Sequence, residues 1–182
     1  MDRSNHYESA FEGYLQAENL CYVAVDERRR PMMNGAPVKS LDFIVYGPAG
    51  ARLVIDIKGR RYPGGTSHKP SRVWQNWATR EDVDGLERWA QTLGPGYRGL
   101  LVFVYDLAPE VELPPDTIDL FPWRRRRYLL RAVDVSAYRQ RLKVRSPRWG
   151  TVGLTSADYR QIVHPLRHFT EGFAIVPLDC PF

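Results

Sequence analysis

Two short apolar segments joined by a glycine-proline turn are the feature that most constrains this fold. Residues 41–46 and 52–57 have the length and composition of β-strands, and the sequence Gly-Pro-Ala-Gly at 47–50 is typical of a tight turn. Side chains of a strand alternate between its two faces. The sequence therefore predicts two adjacent strands against which the remaining elements must pack.

The second strand carries charged side chains within its apolar run. Asp56 and Lys58 are two residues apart and share a face with Val54. A charge on a buried strand must be paired or must bind a metal, because leaving it unpaired and desolvated is costly. Asp42, at the start of the first strand, can reach the same place if the register allows it. The group is then either a salt bridge with a turn aspartate, or two carboxylates that hold a divalent cation beside a lysine.

The composition indicates one globular domain, or one domain with a C-terminal extension, and a basic surface. The chain has 182 residues, of which 43% are hydrophobic, and a formal net charge of +5 suits a polyanionic partner without requiring one. No apolar run approaches the ~20 residues of a membrane span, and the N-terminus lacks the apolar core of a signal peptide. The two lone cysteines, Cys21 and Cys180, show no zinc-type spacing, and we expect a cytoplasmic protein in a reducing environment.

The N-terminal segment predicts an amphipathic helix over residues 5–19, with Ser4 as its N-cap. Glu8 falls in the first turn and Glu12 lies one turn later. A helix end can aim a side chain at a site, but either glutamate can equally be an ordinary solvated helix charge. A strand is predicted to follow over residues 20–25.

The order of these elements resembles the PD-(D/E)XK nuclease superfamily, and within it the archaeal Holliday junction resolvase-like branch. An acid on an early helix, a strand that begins with an acid, and a strand with an acid-x-Lys sequence carry the resemblance, which covers about residues 4–105. Two positions depart from the family pattern: Leu41 replaces a proline, and Asp56 is an aspartate rather than a glutamate.

The resemblance implies a divalent cation, Mg²⁺ or Mn²⁺, held by carboxylates and one backbone carbonyl. The implied ligands are Glu8, Asp42, Asp56 and the carbonyl of Ile57, with Glu12 as the alternative helical acid. Lys58 would position or activate the attacking water, or stabilise charge that develops on the phosphoryl group.

Basic and polar side chains follow the acid-x-Lys strand. Residues 59–65 are predicted to form a basic, glycine-rich loop, in which Arg60 and Arg61 would meet phosphates at the mouth of the site. The alternative is a flexible turn with exposed arginines. Gln75 and Arg80 precede the next helix and are candidates for contact with a substrate phosphate.

Four consecutive arginines form the most concentrated positive charge in the chain: Arg124, Arg125, Arg126 and Arg127. Aromatic residues flank them, which suits contacts to a nucleic-acid backbone. A solvated edge strand guarded by charge explains the run equally well. Residues 145–149 form a second basic-aromatic loop.

The second half of the predicted core is a helix over residues 80–93, capped by Thr79 and ended by Gly94, and a buried strand over 100–106. The fold class is α/β, with a restriction-endonuclease-like αβββαβ core and a mixed central sheet flanked by helices. The nuclease-like core is predicted to span residues 1–107, with 108–182 as an extension packing on the same domain. Within the extension, strands are predicted over residues 128–135 and 173–178, and helices over residues 136–142 and 156–169.

Three functions fit these features. The leading hypothesis is a metal-dependent nuclease, with DNA favoured as the substrate. A catalytically inactive nucleic-acid-binding protein on the same fold is the second, in which the acids serve only as ion pairs. The third is a different phosphate-processing enzyme, although no P-loop, GxGxxG or zinc signature supports it. Cleaving both strands of a duplex symmetrically needs two sites, so a homodimer is a reasonable expectation.

Overall fold

The structure, a computed structural model, describes residues 5–25, 32–33, 36–37, 39–48, 50–66 and 68–171. The helices are α1 (His6–Ala17), α2 (Arg80–Leu93), α3 (Val135–Arg141), α4 (Ser156–Ile162) and α5 (Leu166–Glu171). The strands are β1 (Cys21–Ala24), β2 (Met32–Met33), β3 (Ala36–Pro37), β4 (Phe43–Tyr46), β5 (Arg52–Tyr62), β6 (Gly64–Thr66), β7 (Lys69–Ser71), β8 (Ala78–Thr79), β9 (Tyr97–Leu107), β10 (Leu120–Trp123), β11 (Arg126–Asp134), β12 (Lys143–Ser146) and β13 (Thr151–Gly153).

A mixed six-stranded sheet forms the centre of the molecule, in the order β1-β4-β5-β9-β11-β10. β5 and β9 run parallel, and the other pairings of this sheet are antiparallel. Apart from the short strands, the chain order is α1, β1, β4, β5, α2 and β9, which is αβββαβ. The predicted fold class is therefore confirmed. β10 and β11, which come from the C-terminal part of the chain, continue the same sheet.

The two long helices cover opposite faces of this sheet. α1 buries Phe11 and Leu15 in one core cluster, together with Ile55 of β5. α2 buries Leu86 in the other cluster, together with Val54 of β5. Consecutive strand residues thus point to different helices, and the even-numbered residues of β5, including the predicted site residues, face α2.

Ordinary capping chemistry sets the helix starts. α1 begins after Asn5, whose side chain accepts the Tyr7 N–H at 3.1 Å; the predicted cap, Ser4, lies outside the described residues. α2 begins after Thr79, which forms a reciprocal capping box with Asp82, and it ends before Gly94, whose φ of 101° favours glycine. The predicted helix over 80–93 is confirmed.

The predicted loop over residues 59–65 is wrong in its first half, because β5 continues to Tyr62. The cause is tertiary: β9 pairs with β5 as far as the Tyr62–Leu107 pair, so the backbone of this basic stretch is held in the sheet. Gly59 lies where a β-carbon would overlap the Tyr7 ring, so it lets α1 pack closely on the strand.

The C-terminal part of the chain differs from prediction at its helices. α3 is capped by Asp134, which accepts the N–H groups of Ser136 and Ala137, rather than by Ser136. The single helix predicted over 156–169 is two helices, α4 and α5, because the backbone at His164 pairs with Ala132 of β11 before Pro165. The strand predicted over 173–178 lies outside the described residues.

Two further predictions concern the environment of the chain. Cys21 is a free, exposed thiol, and Cys180 lies outside the described residues. Across the described ranges, no helix is long and apolar enough to cross a membrane.

Candidate active site

The pairing of β4 with β5 brings two of the predicted acids together. Phe43 and Ile55 form the last pair of the antiparallel β4–β5 register on this side, and Asp42 and Asp56 are the next residues along the two strands. The Asp42 backbone N–H donates to the Ile55 carbonyl at 2.9 Å, and the Asp42 carboxylate accepts the Ile57 N–H at 2.5 Å. Both aspartates are buried, and Asp56 belongs to the face of β5 that α2 covers.

Lys58 lies between two carboxylates on that face. Its Nζ is 2.5 Å from Asp56 Oδ2 and 3.0 Å from Asp82 Oδ2, and the lysine side chain is only 13% exposed. A second lysine, Lys39, lies 3.8 Å from the other oxygen of Asp82. The strand pair and the N-terminus of α2 therefore meet in one buried charge cluster.

Asp82 is a member of this cluster that sequence reasoning missed. It is the third residue of α2, and its carboxylate accepts the Thr79 N–H at 2.8 Å while its own N–H donates to Thr79 Oγ1 at 3.1 Å. The Thr-x-x-Asp spacing indicates the capping box in the sequence. That the same carboxylate reaches Lys58 depends on how α2 crosses β5, which no local pattern shows.

Burial and ion pairing pull the pKa values of this cluster in different directions. Burial raises the pKa of Asp56 to about 6; the Lys58 ammonium opposes this shift and the Asp82 carboxylate adds to it. Burial also acts against the charged form of Lys58, but the two carboxylates outweigh it and the lysine pKa is raised. Burial likewise disfavours ionised Asp82, yet Lys58 and the Thr79 cap lower its pKa. Among these three groups, burial outweighs ion pairing only at Asp56.

The oxygen atoms of this cluster suit a hard divalent cation. Apart from its contact with Lys58, Asp56 Oδ2 is buried and accepts no hydrogen bond from the described residues. Mg²⁺ is commonly held by one or two carboxylates, with water and substrate phosphate completing the shell. Asp42 and Asp56 fit that donor set. A larger set is not formed, since no three His, Cys, Asp or Glu side chains of the described ranges group as metal ligands.

The helical acids do not join this group. α1 lies on the other face of the sheet, where Glu8 accepts a hydrogen bond from Asn5 Nδ2 at 2.7 Å. Glu12 accepts the hydroxyl of Tyr22 on β1 at 3.1 Å. The structure thus separates both glutamates from Asp42 and Asp56, because α1 and α2 occupy opposite faces.

Arg60 is not at the mouth of a loop, as predicted, but buried on the α2 face. Its guanidinium stacks on Trp77, 3.9 Å from the ring centroid, and donates to the backbone carbonyls of Gly59 and Trp77. Burial lowers the Arg60 pKa, and the nearby Arg145 guanidinium lowers it further. Asp56, Lys58 and Arg60 thus form a line of charge along one face of β5.

The other predicted polar contacts are spread over two places. Arg80 is exposed at the start of α2, where its N–H donates to the Gly150 carbonyl at 2.9 Å. Gln75 is half-buried, and its backbone carbonyl accepts the Tyr105 hydroxyl at 3.0 Å. Arg61 is exposed and points into a different cleft at the end of β5.

That cleft, of about 700 Å³, also receives three of the four consecutive arginines. Arg124 and Arg125 form the turn between β10 and β11, with φ of 45° and 66°. Arg126 pairs with Asp106 at 2.5 Å, and Arg127 donates to backbone carbonyls of residues 108–111. We call this the basic cleft: it is lined by His6, Tyr7, Arg61, Asp106, Leu107, Ala108, Pro109, Arg125, Arg126 and Arg127. It lies on the α1 side, about 16 Å along β5 from Asp56.

Comparison with known proteins adds one structural likeness. No protein-family model matches the chain, and no curated protein matches it in sequence. A solved structure of Archaeoglobus fulgidus Hjc, a Holliday junction resolvase from an archaeal hyperthermophile, is similar over 86% of this chain and 92% of that one. The two share 11% sequence identity with a TM-score of 0.48, a likeness too weak to assign chemistry.

Proposed function

We propose that this protein is a divalent-metal-dependent nuclease that hydrolyses phosphodiester bonds, with DNA as the favoured substrate. One observation carries the proposal: the Asp42 carboxylate reaches β5 beside Asp56, where it accepts the Ile57 N–H at 2.5 Å, and Lys58 Nζ is 2.5 Å from Asp56. The order of the elements in the sequence, which resembles the PD-(D/E)XK nuclease superfamily, supports it.

The proposed ligands of Mg²⁺ or Mn²⁺ are the carboxylates of Asp42 and Asp56 and the backbone carbonyl of Ile57. Glu8 and Glu12 are left out of this set because their helix covers the opposite face. When bound, the ion supplies Lewis acidity and neutralises charge at the phosphodiester. Asp56 must lose its proton to serve as a ligand, and a pKa of about 6 allows this at neutral pH.

Lys58 has the role of a fixed positive charge. Its raised pKa keeps the ammonium protonated, which favours stabilisation of charge on the phosphoryl group over removal of a proton from water. Asp82 also contacts the ammonium, at 3.0 Å, and would hold Lys58 in place when Asp56 binds a cation. Asp82 is in this sense a positioning residue.

A catalytically inactive nucleic-acid-binding protein is the second candidate. It is favoured by one observation: Asp56 and Asp82 already neutralise Lys58 in a closed cluster, as ion pairs without a metal would. The basic surface would then be the functional part. A homodimer and a cytoplasmic location stay predictions under either function.

Nicking of supercoiled plasmid in Mg²⁺ or Mn²⁺ distinguishes the two. We expect wild type to nick the plasmid, and Asp56→Asn and Lys58→Met to lose at least about 100-fold of the rate. Asp84→Asn is the matched control, since this aspartate also lies on α2 but pairs with Arg139 at the surface. Binding of Mn²⁺ by calorimetry should be lost in Asp56→Asn and kept in Asp84→Asn. A wild type that shifts DNA on a gel but cuts it with neither metal supports the binding protein instead.

A further inference from the structure

A β-hairpin beside the candidate active site presents the most exposed large hydrophobic side chain of the described residues. β12 and β13 form this hairpin, and residues 147–150 form its tip. Trp149 is 69% exposed at the tip, and Val144 is 58% exposed on β12. An exposed tryptophan on a structured hairpin offers a large flat surface on which a ligand ring can stack.

The hairpin is firmly attached to the element that carries the active-site carboxylate Asp82. β13 pairs with β8 through Thr151 and Thr79, and Thr79 is the residue that caps α2. The Gly150 carbonyl accepts the Arg80 N–H at 2.9 Å, which fixes the tip itself to the first turn of α2. Trp149 thus directly precedes Gly150, which contacts α2. The third residue of α2, Asp82, binds Lys58.

The same hairpin carries positive charge without a matching acid. Lys143, Arg145 and Arg148 are exposed, and none forms an ion pair with a carboxylate in the described ranges. The Arg148 guanidinium lies 5.3 Å from the Trp149 ring centroid. Arg145 lies 5.6 Å from the ring of Trp77, on which the buried Arg60 also stacks.

These cations extend the line of charge on β5. Asp56, Lys58 and Arg60 occupy every second position of β5. The Trp77 ring contacts the guanidinium of Arg60 and lies 5.6 Å from that of Arg145 on the hairpin. Asp56 and Arg60 are buried and Lys58 is nearly so, and the exposed Arg145 and Arg148 are the cations at the hairpin end of this line that a polyanion can contact. Its bases then come within reach of Trp149.

We propose that the β12–β13 hairpin is a nucleic-acid-binding wing, in which Trp149 stacks on an unpaired base while Arg145 and Arg148 contact the backbone. An aromatic side chain flanked by arginines binds a base face and its phosphates together. Inside a duplex both faces of each base are already stacked, so an unpaired base is the one that can stack on Trp149. The wing deepens the proposed function, on which it rests for the idea that the bound strand leads to a scissile phosphate.

Oligonucleotide binding in EDTA tests the wing without any cleavage. Fluorescence anisotropy compares a labelled single strand with the blunt duplex of the same sequence, for wild type, Trp149→Ala, Trp149→Phe and Val144→Ala. We expect Trp149→Ala to weaken single-strand binding between about 5-fold and 150-fold, the equivalent of one stacked base. Trp149→Phe should lose only part of that affinity, and Val144→Ala, on the same hairpin, none.

The duplex and the salt dependence complete the test. Trp149→Ala should change blunt-duplex affinity less than twofold, whereas Arg148→Ala should weaken both ligands and reduce the salt slope by about one. Single-strand affinity unchanged in Trp149→Ala overturns the proposal, as does an equal loss on both ligands. A switch from dimer to monomer in Trp149→Ala at unchanged affinity would show that a second copy of the chain covers the tryptophan instead.

These outcomes are separate from those of the nuclease test. Failure of plasmid nicking removes the proposed catalysis but leaves the anisotropy result intact. If Trp149→Ala leaves single-strand affinity unchanged while the wild type still nicks plasmid, the protein is a nuclease that does not use Trp149. Circular dichroism of each variant shows that the hairpin change has not unfolded the chain.

Discussion

Both faces of the central sheet carry clustered charges, but the charges are buried on one face and exposed on the other. On the α2 face, Asp56, Lys58 and Asp82 are nearly excluded from solvent, with side chains 6%, 13% and 5% exposed. In the basic cleft on the α1 side, Arg125 and Arg126 remain exposed. Buried charges interact strongly and perturb one another's pKa, whereas exposed charges are screened by water and salt. The buried cluster on the α2 face suits catalysis at a single bond. The exposed charges of the basic cleft suit attraction of a polyanion over a surface.

The largest expected effect comes from removing the buried cation. Lys58→Met leaves Asp56 and Asp82 buried without their shared partner, so we expect a loss of about 3–5 kcal/mol in the free energy of unfolding, measured by urea denaturation. Arg126→Met is the comparison in the basic cleft, and it should cost much less, because the Arg126 side chain is 53% exposed even though its partner Asp106 is 12% exposed. Equal losses in the two variants would contradict the contrast between the faces.

The second effect is a pH dependence confined to the α2 face. The Asp56 pKa is about 6 in the folded chain and about 3.9 when unfolded, so the folded state binds the proton more tightly. The free energy of unfolding should therefore fall by about 2–3 kcal/mol as pH rises from about 4 to about 6. Asp56→Asn should remove this contribution.

The measurement is the difference between wild type and Asp56→Asn in urea, taken at several pH values. Titrating groups outside the Asp56–Lys58–Asp82 cluster remain in both proteins and largely cancel. A wild-type-minus-variant difference that is flat from pH 4 to pH 7 is inconsistent with a buried, protonatable Asp56.

A smaller effect separates capping from positioning. Thr79→Ala removes the N-cap of α2, so we expect a loss of about 1 kcal/mol in the free energy of unfolding. Alanine keeps the backbone N–H that the Asp82 carboxylate accepts, but it removes the hydroxyl that helps to lower the Asp82 pKa, so plasmid nicking should fall further than stability alone explains. The matched control is Thr155→Ala, because Thr155 caps α4 by the same bond to a residue three positions on, Asp158. Nicking reduced equally in both variants would leave Asp82 with a structural role only.

The smallest effect belongs to the basic cleft. Arg125→Ala should weaken binding of any DNA sequence to a similar extent and reduce the salt slope by about one, as measured by anisotropy over a salt series. Alanine keeps the β-carbon, so the positive-φ turn bears the same backbone cost. Arg139→Ala, which loses only ion pairs with Asp84 and Glu87, should leave the slope unchanged. An unchanged slope in Arg125→Ala would remove the basic cleft from the binding surface.

Much of the fold could be predicted because its signals are local. The Thr79 cap and Gly94 define α2, and the alternation in β5 correctly places Asp56 and Lys58 on one face. Where a local signal competes with pairing, prediction fails. Arg60 and Arg61 look like loop residues, but β9 pairs beside them and keeps them in a strand.

Which residues join the candidate site was harder to predict than the Asp56–Lys58 pair at its centre. Glu8 lies in a suitable position along the chain, but α1 covers the wrong face for it to meet Asp56. Asp82 looks like a capping residue and is one, yet it also binds Lys58. A residue type in a sequence shows what a side chain can do, not which neighbour it will meet.

By itself the sequence determined the strand pair, the shared face of Asp56 and Lys58, and the start of α2, because each follows from backbone periodicity or capping within a few residues. The tertiary structure alone decided that Asp82 meets Lys58, that Arg60 is buried on Trp77, and that Trp149 stands exposed beside α2. The reason is that these contacts join segments far apart in the chain. Their partners are chosen by how helices and strands pack across the sheet, which is a property of the whole fold.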